Sequence, residues 1–217
     1  MLTLTEQYAL CALNDKGKIS YNNRQSITLG IAGLIELIQN NLVQIEDDRI
    51  ILVGDLTPQC LHLRSIYNFI EQSDKLLSLK KFTYDLFNNE KATNNLLIDI
   101  KMELDRLECM DVFMEQGFFS TGPIHMPKEH IVKDIIENLR PNIFETKAHL
   151  SENEILLLNL FDNSGLIKKY FSADEQKQLT FELREAEHTI NSQTGELVRY
   201  IEFTQGVVLG VTAGASV

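Results

Sequence analysis

Apolar residues recur along most of the chain at the three- and four-residue spacing that is typical of amphipathic helices. The first such run follows Thr3 and Glu6, which together have the capping-box pattern of a helix start. A second predicted helix covers residues 26–39, with its apolar positions on one face. Two short runs at residues 42–45 and 50–53 then predict a β-hairpin. The chain therefore begins with helix, helix and hairpin, which is the element order of a winged helix.

The same periodicity predicts helices through the rest of the chain. The longest covers residues 93–116 and ends at Gly117, and Thr121 begins a turn. Ser151 and Ser172 start two further capping boxes. The other predicted helices cover residues 59–72, 79–88, 128–139 and the stretch after Thr194. Because no Pro-rich or Ser-rich linker interrupts this pattern, we predict a mainly α, single-domain helical bundle with a small β-hairpin over residues 1–217.

Glycines occupy distinctive positions in two of the predicted helices. Gly206, Gly210 and Gly214 share one stripe of the last helix, a spacing that indicates dimerisation in a lipid-spanning helix. The apolar run around them is shorter than the ~20 residues that cross a bilayer, so we predict a buried terminal helix and no transmembrane segment. Gly30 and Gly33 lie within the second helix, where we expect them to allow close packing.

The charge and cysteine content exclude several classes of protein. The 217 residues include 20 Lys and Arg against 31 Asp and Glu, which gives a net charge of −11 at neutral pH. This long-range field repels nucleic acid and anionic membranes, so an anion-binding site has to be a local patch. Cys11, Cys60 and Cys109 form no paired motif, and the first residues lack a signal-peptide pattern. We therefore expect a cytoplasmic protein without disulfides.

Motifs that carry catalysis are absent from the sequence. It contains no phosphate-binding glycine loop, nucleophile elbow or HExxH motif. Cys60 with His62, and His125 with Glu129 and His130, are the two sets that can be drawn as metal ligands. Their spacings do not place three ligands on one helix face. We therefore expect no enzyme, no metal and no cofactor.

The winged-helix order raises nucleic-acid binding as one alternative. A recognition helix needs cations and amides directed at the DNA. Residues 26–39 contain no Lys or Arg and include Glu36, and the hairpin tip carries Glu46, Asp47 and Asp48. These carboxylates would repel phosphates, so we expect no nucleic-acid partner.

Six short motifs, taken in order, resemble the Golgi phosphoprotein 3 family. They are LTLTE at residues 2–6, NDKG at 14–17, GLIEL at 33–37, LVQI at 42–45, MEQGFF at 114–119 and LLLNL at 156–160. The resemblance spans nearly the whole chain and implies a mostly helical, non-catalytic single domain. It further implies binding of the phosphatidylinositol 4-phosphate headgroup by a peripheral membrane adaptor on the cytoplasmic face, which in this family serves Golgi glycosyltransferases.

The resemblance also indicates where a headgroup would bind. The family's pocket joins an aromatic residue, one arginine of the second helix and two arginines of the central helix. The aromatic position is Tyr21 here and one central arginine is Arg106, whereas Gly30 and Glu103 stand at the other two positions. Arg24 is a nearby cation without a counterpart in the family. The resemblance thus implies Tyr21, Arg24 and Arg106 as ligand-binding residues for an anionic phospholipid headgroup.

Eukaryotic members of this family also carry an apolar hairpin that dips into the membrane. The corresponding region here, residues 120–126, is short and keeps Ile124 and Met126 as apolar tips. A second function on the same scaffold therefore stays open, namely a protein–protein interaction module that does not depend on lipid.

Overall fold

The computed structural model describes residues 1–19, 24–73, 77–116, 121–145, 150–187, 190 and 192–214. Within these ranges the chain forms ten α-helices and two antiparallel hairpins, which confirms the mainly α prediction. The helices are α1 (Leu4–Ala12), α2 (Arg24–Gln39), α3 (Arg64–Glu71), α4 (Leu79–Asn88), α5 (Glu90–Arg106), α6 (Glu129–Arg140), α7 (Glu152–Ser164), α8 (Ile167–Tyr170), α9 (Ala173–Glu187) and α10 (Ser192–Gly214). The strands are β1 (Val43–Glu46), β2 (Arg49–Leu52), β3 (Met110–Gln116) and β4 (Thr121–Pro127). A 3₁₀ turn at Pro58–Leu63 precedes α3, and a π-helical turn at Pro141–Glu145 follows α6.

Helix α1 begins at the predicted capping box and is held at its other end by α8. Thr3 Oγ1 accepts the N–H of Glu6 at 3.3 Å, and Glu6 Oε2 accepts the N–H of Thr3 at 2.8 Å. The carbonyl of Cys11 accepts the Tyr170 hydroxyl at 2.6 Å and the Lys169 ammonium at 3.0 Å. These bonds satisfy backbone groups that a helix end leaves unpaired, and they dock α8 onto α1.

Helix α2 is the centre of the bundle. It packs against α1, α3, α4, α5, α7 and α10. All twelve residues from 26 to 37 are buried, so this stretch has no exposed face of the kind that enters a DNA groove. A Cβ built at Gly30 would lie 2.4 Å from Leu86 Cδ1, and one at Gly33 would lie 3.3 Å from Ile66 Cγ2. Both glycines therefore allow close helix packing, as predicted.

The predicted helix over residues 93–116 is wrong after Arg106. Helix α5 ends at Arg106, and Glu108 then takes a left-handed conformation with φ 56°. The N–H of Cys109 donates to the Leu104 carbonyl at 2.8 Å, and the N–H of Glu108 donates to the Asp105 carbonyl at 2.9 Å. This pair of bonds is the Schellman motif, which usually carries glycine at the left-handed position. The sequence pattern missed the helix end because glutamate stands there.

The residues after this cap form a second hairpin, which the sequence analysis did not predict. Strand β3 pairs with β4 over seven residue pairs. Thr121, where the sequence predicts the start of a turn, is instead the first residue of β4. Val112, Phe113 and Met114 are 52%, 52% and 71% exposed. Because neighbouring side chains of a strand point to opposite faces, both faces of this hairpin are open at β3. The apolar surface is therefore on β3, whereas Ile124 and Met126 are half-buried.

The base of the β3–β4 hairpin rests on the turn between α1 and α2. Gly17 has a φ of 62°, and a Cβ there would lie 2.1 Å from the His125 carbonyl oxygen. Only glycine fits such a close approach at a left-handed position. The Lys101 ammonium donates to the Gly17 carbonyl, which ties α5 to the same turn.

The remaining elements follow the predicted pattern with two changes. Residues 59–72 are divided between the 3₁₀ turn and α3, and the capping boxes at Ser151 and Ser172 both form. Helix α10 packs against α2, α4 and α7, but the prediction that its glycine stripe is buried is wrong at Gly206 and Gly210. A Cβ at either glycine meets nothing within 4 Å. None of the helices in the described ranges is long and apolar enough to cross a membrane.

Candidate functional site

The three ligand-binding residues predicted from the sequence are Tyr21, Arg24 and Arg106. Tyr21 falls in residues 20–23, outside the described part of the chain. Arg24 is the first residue of α2, and Arg106 is the last residue of α5. Arg24 lines a surface cavity, and Arg106 is not among the described residues of its wall. The structure therefore places the two arginines in different surroundings.

Arg106 is already paired with an acidic neighbour one turn earlier in α5. Its Nε and Nη2 donate to the two carboxylate oxygens of Glu103 at 2.9 and 2.5 Å. The hydrogen bonds from this guanidinium are the main cause of a lowered pKa of Glu103, which stays ionised at neutral pH. Glu103 therefore occupies the Nε–Nη2 edge of the guanidinium, one of the two edges that can bind a phosphate with two parallel hydrogen bonds. Arg106 is exposed, but its charge is balanced within its own helix.

Gly30 marks the other position where the resemblance expects an arginine. It is buried in the middle of α2, and its nearest neighbours are the methyl groups of Leu86. A longer side chain at this position would enter the core between α2 and α4. In this fold the position contributes packing and cannot present a cation to a surface ligand.

The cavity beside Arg24 has a volume of about 430 Å³ and lies where the start of α2 meets α7, α8, α9 and α10. We call it the Arg24 pocket. Its cations are Arg24, Lys168 of α8 and Arg184 of α9, and its carboxylates are Asp162 of α7 and Glu202 of α10. Each of these five residues is exposed to solvent. The described lining of the pocket therefore carries one net positive charge on a chain whose net charge is −11.

None of the three cations of the Arg24 pocket forms an ion pair with a described residue. The ion pairs of the described ranges use other groups throughout. As far as the described residues go, the guanidinium groups of Arg24 and Arg184 and the ammonium of Lys168 therefore retain their donors for an incoming anion. The buried side chains of Ile167 and Leu179 close the pocket from the core side.

Local sequence accounts for the position of each cation. The Ser172 capping box starts α9, and Gln176, Thr180 and Arg184 follow at four-residue spacing, which puts them on one face of the helix. In the short helix α8, Lys168 lines the pocket, whereas Lys169 turns to the Cys11 carbonyl. Two adjacent lysines thus point to different sides of one helical turn.

Of the three cations of the Arg24 pocket, Arg24 was predicted from the sequence, whereas Lys168 and Arg184 were not. The sequence pattern could have indicated Arg184, because Gln176, Thr180 and Arg184 form a polar stripe along α9 beside its apolar positions. No comparable signal existed for Lys168. Its role depends on the fold, which brings residues 24, 168 and 184 to one cavity.

The two sets drawn from the sequence as metal ligands have other partners. His62 Nε2 lies 2.7 Å from Glu36 Oε1, and His125 Nδ1 lies 3.0 Å from Asp105 Oδ2. Cys60 is a free, buried thiol, as are Cys11 and Cys109. Within the described residues, no group of three or more His, Cys, Asp and Glu side chains is arranged to hold a metal ion.

A scan of the sequence against protein-family models finds no match. A search of curated proteins also finds no match.

Proposed function

We propose that this protein is a non-catalytic binding domain whose Arg24 pocket takes a phosphate-bearing headgroup of the phosphatidylinositol 4-phosphate class. In this role it acts as a peripheral membrane adaptor. The observation that carries the proposal is the convergence of Arg24, Lys168 and Arg184 on one cavity without acidic partners among the described residues. Guanidinium groups bind phosphate oxygens in a fixed two-pronged geometry, which makes such a set suited to phosphate.

The two carboxylates of the Arg24 pocket favour a headgroup over a simple anion. Asp162 and Glu202 would repel a bare phosphate, yet they accept hydrogen bonds from hydroxyl groups. An inositol phosphate offers both parts, with phosphate oxygens for the three cations and ring hydroxyls for the two carboxylates. The cavity volume of about 430 Å³ falls within the usual range for small-molecule sites.

The β3–β4 hairpin supplies a second contact that a peripheral membrane protein needs. Val112 and Met114 are exposed on one face of β3, and Phe113 is exposed on the other. Burying such side chains in the membrane interface adds roughly 25 cal/mol for each Å² removed from water. We propose that this hairpin inserts both faces of β3 into the interface while the Arg24 pocket selects the headgroup.

Vesicle flotation tests the headgroup proposal. We expect phosphatidylcholine vesicles with phosphatidylinositol 4-phosphate to recover the protein, and vesicles with unphosphorylated phosphatidylinositol to leave it behind. Arg184→Glu should weaken binding at least tenfold, because a lost charged hydrogen bond costs about 1.5–3 kcal/mol. Arg106→Glu is the matched control and should bind like the wild type. If the vesicles still recover the Arg184→Glu protein but no longer recover the Arg106→Glu protein, the headgroup binds at the end of α5 and not in the Arg24 pocket.

A calorimetric titration separates a lipid headgroup from free phosphate. We expect soluble inositol 1,4-bisphosphate to bind and to lose its heat signal with Arg184→Glu. Inorganic phosphate should bind much more weakly, because it offers no hydroxyls to Asp162 and Glu202. Equal affinity for both probes would show that the pocket recognises phosphate alone.

A protein–protein interaction module is the second candidate function, and the exposed hairpin favours it. Single exposed apolar residues are common on protein surfaces, but β3 exposes Val112 and Met114 on one face and Phe113 on the other. In this case a pull-down from a soluble extract should recover a partner that Phe113→Asp with Met114→Asp abolishes. The same partner should still bind the Arg184→Glu variant, which distinguishes this function from headgroup binding.

A further inference from the structure

An open apolar groove lies between α4 and α10, apart from the Arg24 pocket. Its volume is about 860 Å³, within the range of small-molecule sites. Its described apolar wall consists of Tyr84 from α4 and Phe203, Gly206, Val207 and Gly210 from α10. We call it the α4–α10 groove.

Two aromatic side chains of the groove are only partly covered by the protein. Tyr84 is 51% exposed and Phe203 is 43% exposed. In the same wall, Gly206 and Gly210 leave open space, because a Cβ at either position meets no atom of the described residues within 4 Å. An apolar chain lying along α10 would cover both rings, and large aromatic side chains contribute much of the apolar area that a ligand can bury.

One end of the α4–α10 groove is positively charged. Lys80 lines it and has no ion-pair partner among the described residues, whereas the neighbouring Lys81 lies 2.7 Å from Asp85. Ser78, the N-cap of α4, lines the same end, so the positive end of the helix dipole adds to the Lys80 charge. The described lining of the groove therefore joins an apolar wall to two lysines, Lys80 and the Asp85-paired Lys81.

We propose that the α4–α10 groove binds a long-chain fatty carboxylate, with the chain along Tyr84 and Phe203 and the carboxylate at Lys80. Charge complementarity favours this occupant. A single carboxylate brings one negative charge to a chain with a net charge of −11, whereas an acidic peptide helix would bring several and be repelled more strongly. A neutral helix would gain no attraction from Lys80.

Isothermal titration with dodecanoate, held below its micelle concentration, tests this proposal on the full chain. We expect saturable binding of one molecule, and weaker binding of the uncharged methyl ester. Gly206→Leu should fill the groove and weaken dodecanoate binding by about tenfold or more. Leucine is a better helix former than glycine, so we expect this variant to fold, with circular dichroism as the check. If it does not fold, Gly210→Leu replaces it.

Charge reversal at the rim gives a second measurement with a matched control. Lys80→Glu should weaken dodecanoate about tenfold and leave the methyl ester unaffected. Lys91→Glu, at an exposed position of α5 outside the groove, should bind dodecanoate like the wild type. Arg184→Glu should also leave dodecanoate binding intact, so that failure of the headgroup proposal and failure of this one can be told apart.

Two results would overturn the fatty-carboxylate proposal. One is the absence of saturable dodecanoate binding to the folded wild-type protein. The other is binding that folded Gly206→Leu and Lys80→Glu both leave unchanged. If dodecanoate does not bind and sedimentation shows a dimer that Gly206→Leu dissociates, the groove instead holds a second copy of the chain.

Discussion

Glu36 and His62 form a buried ion pair that joins three elements. His62 Nε2 lies 2.7 Å from Glu36 Oε1, and Glu36 Oε2 accepts the N–H of Thr5 at 2.9 Å. Burial alone would lower the pKa of His62, but the hydrogen bond and charge of Glu36 raise it above 6.5. Burial alone would raise the pKa of Glu36, yet the bonds from His62 and Thr5 lower it below 4.5. Both groups are therefore charged in the folded protein near pH 6.

The pH dependence of stability follows from these two shifts. The contribution of His62 to the free energy of unfolding is complete below the pKa of 6.5 that this residue has in the unfolded chain. It is lost as the pH rises through the higher pKa of His62 in the folded protein. The contribution of Glu36 to the free energy of unfolding is present above pH 4.5, the pKa of this residue in the unfolded chain. It is lost as the pH falls through the lower pKa of Glu36 in the folded protein. The pair thus stabilises the fold most between about pH 4.5 and 6.5. Glu6 and Glu103 also face His62 electrostatically, and both remain in a His62 variant.

We predict that His62→Gln lowers the free energy of unfolding by about 3–5 kcal/mol near pH 6, because it leaves Glu36 buried without its partner. The difference from the wild type should shrink toward pH 9, where His62 is neutral in both states. Urea denaturation across this pH range measures it, and His130→Gln is the exposed control. A difference that grows with pH would mean that the fold holds His62 neutral.

Gly30 lies where α2 packs closely against Leu86 of α4. Gly30→Ala should lose up to about 2 kcal/mol, since overpacking against Leu86 outweighs the helix-propensity gain. Gly30→Arg should lose more than about 3 kcal/mol, because it also buries a charge. Gly206→Ala is the control in open surroundings and should be neutral or stabilising. Thermal denaturation checks all three, and a stable Gly30→Arg variant would contradict this account.

At the scale of elements, the end of α5 decides where the second hairpin begins. Glu108 occupies a left-handed position that costs a side-chain-bearing residue about 1–2 kcal/mol. We predict that Glu108→Gly stabilises the protein by about 0.5–1 kcal/mol, after the larger chain entropy of glycine is subtracted. Glu108→Ala keeps the Cβ and should show no such gain. Equal effects of the two substitutions in urea denaturation would argue against strain at this position.

The α9 helix shows how one element serves both packing and binding. Leu179 is buried, while Thr180 and Arg184 reach the Arg24 pocket. A helix that has one apolar face and one polar face can be recognised from the spacing of apolar residues in its sequence. Which neighbouring helices complete the pocket depends on packing, since α2, α7, α8 and α10 supply the rest of its wall.

The net charge of −11 acts on the whole molecule. We predict that phosphatidylserine vesicles at low salt recover no more protein than phosphatidylcholine vesicles do, because the overall field opposes a uniformly anionic surface. Strong flotation with phosphatidylserine that fades with added salt would indicate a diffuse surface attraction. Such a result would contradict the proposal that the Arg24 pocket binds one headgroup selectively.

Interactions within a few residues were predictable from the sequence. The capping boxes at Thr3, Ser151 and Ser172 all form, and α2 and the β1–β2 hairpin lie where the apolar pattern predicts them. The cap that uses Glu108 in place of glycine was not predictable from local preference, and the β3–β4 hairpin depends on it.

The binding surface arose at longer range. Arg106 is paired with Glu103 of its own helix, which is a local interaction, whereas Arg24 lines one cavity together with Lys168 and Arg184 of two other helices. Periodicity and capping act over one or two helical turns and survive in any packing of the helices. Residues 24, 168 and 184 line one cavity only because α2, α8 and α9 pack together as they do. That packing depends on side-chain contacts spread over the whole core.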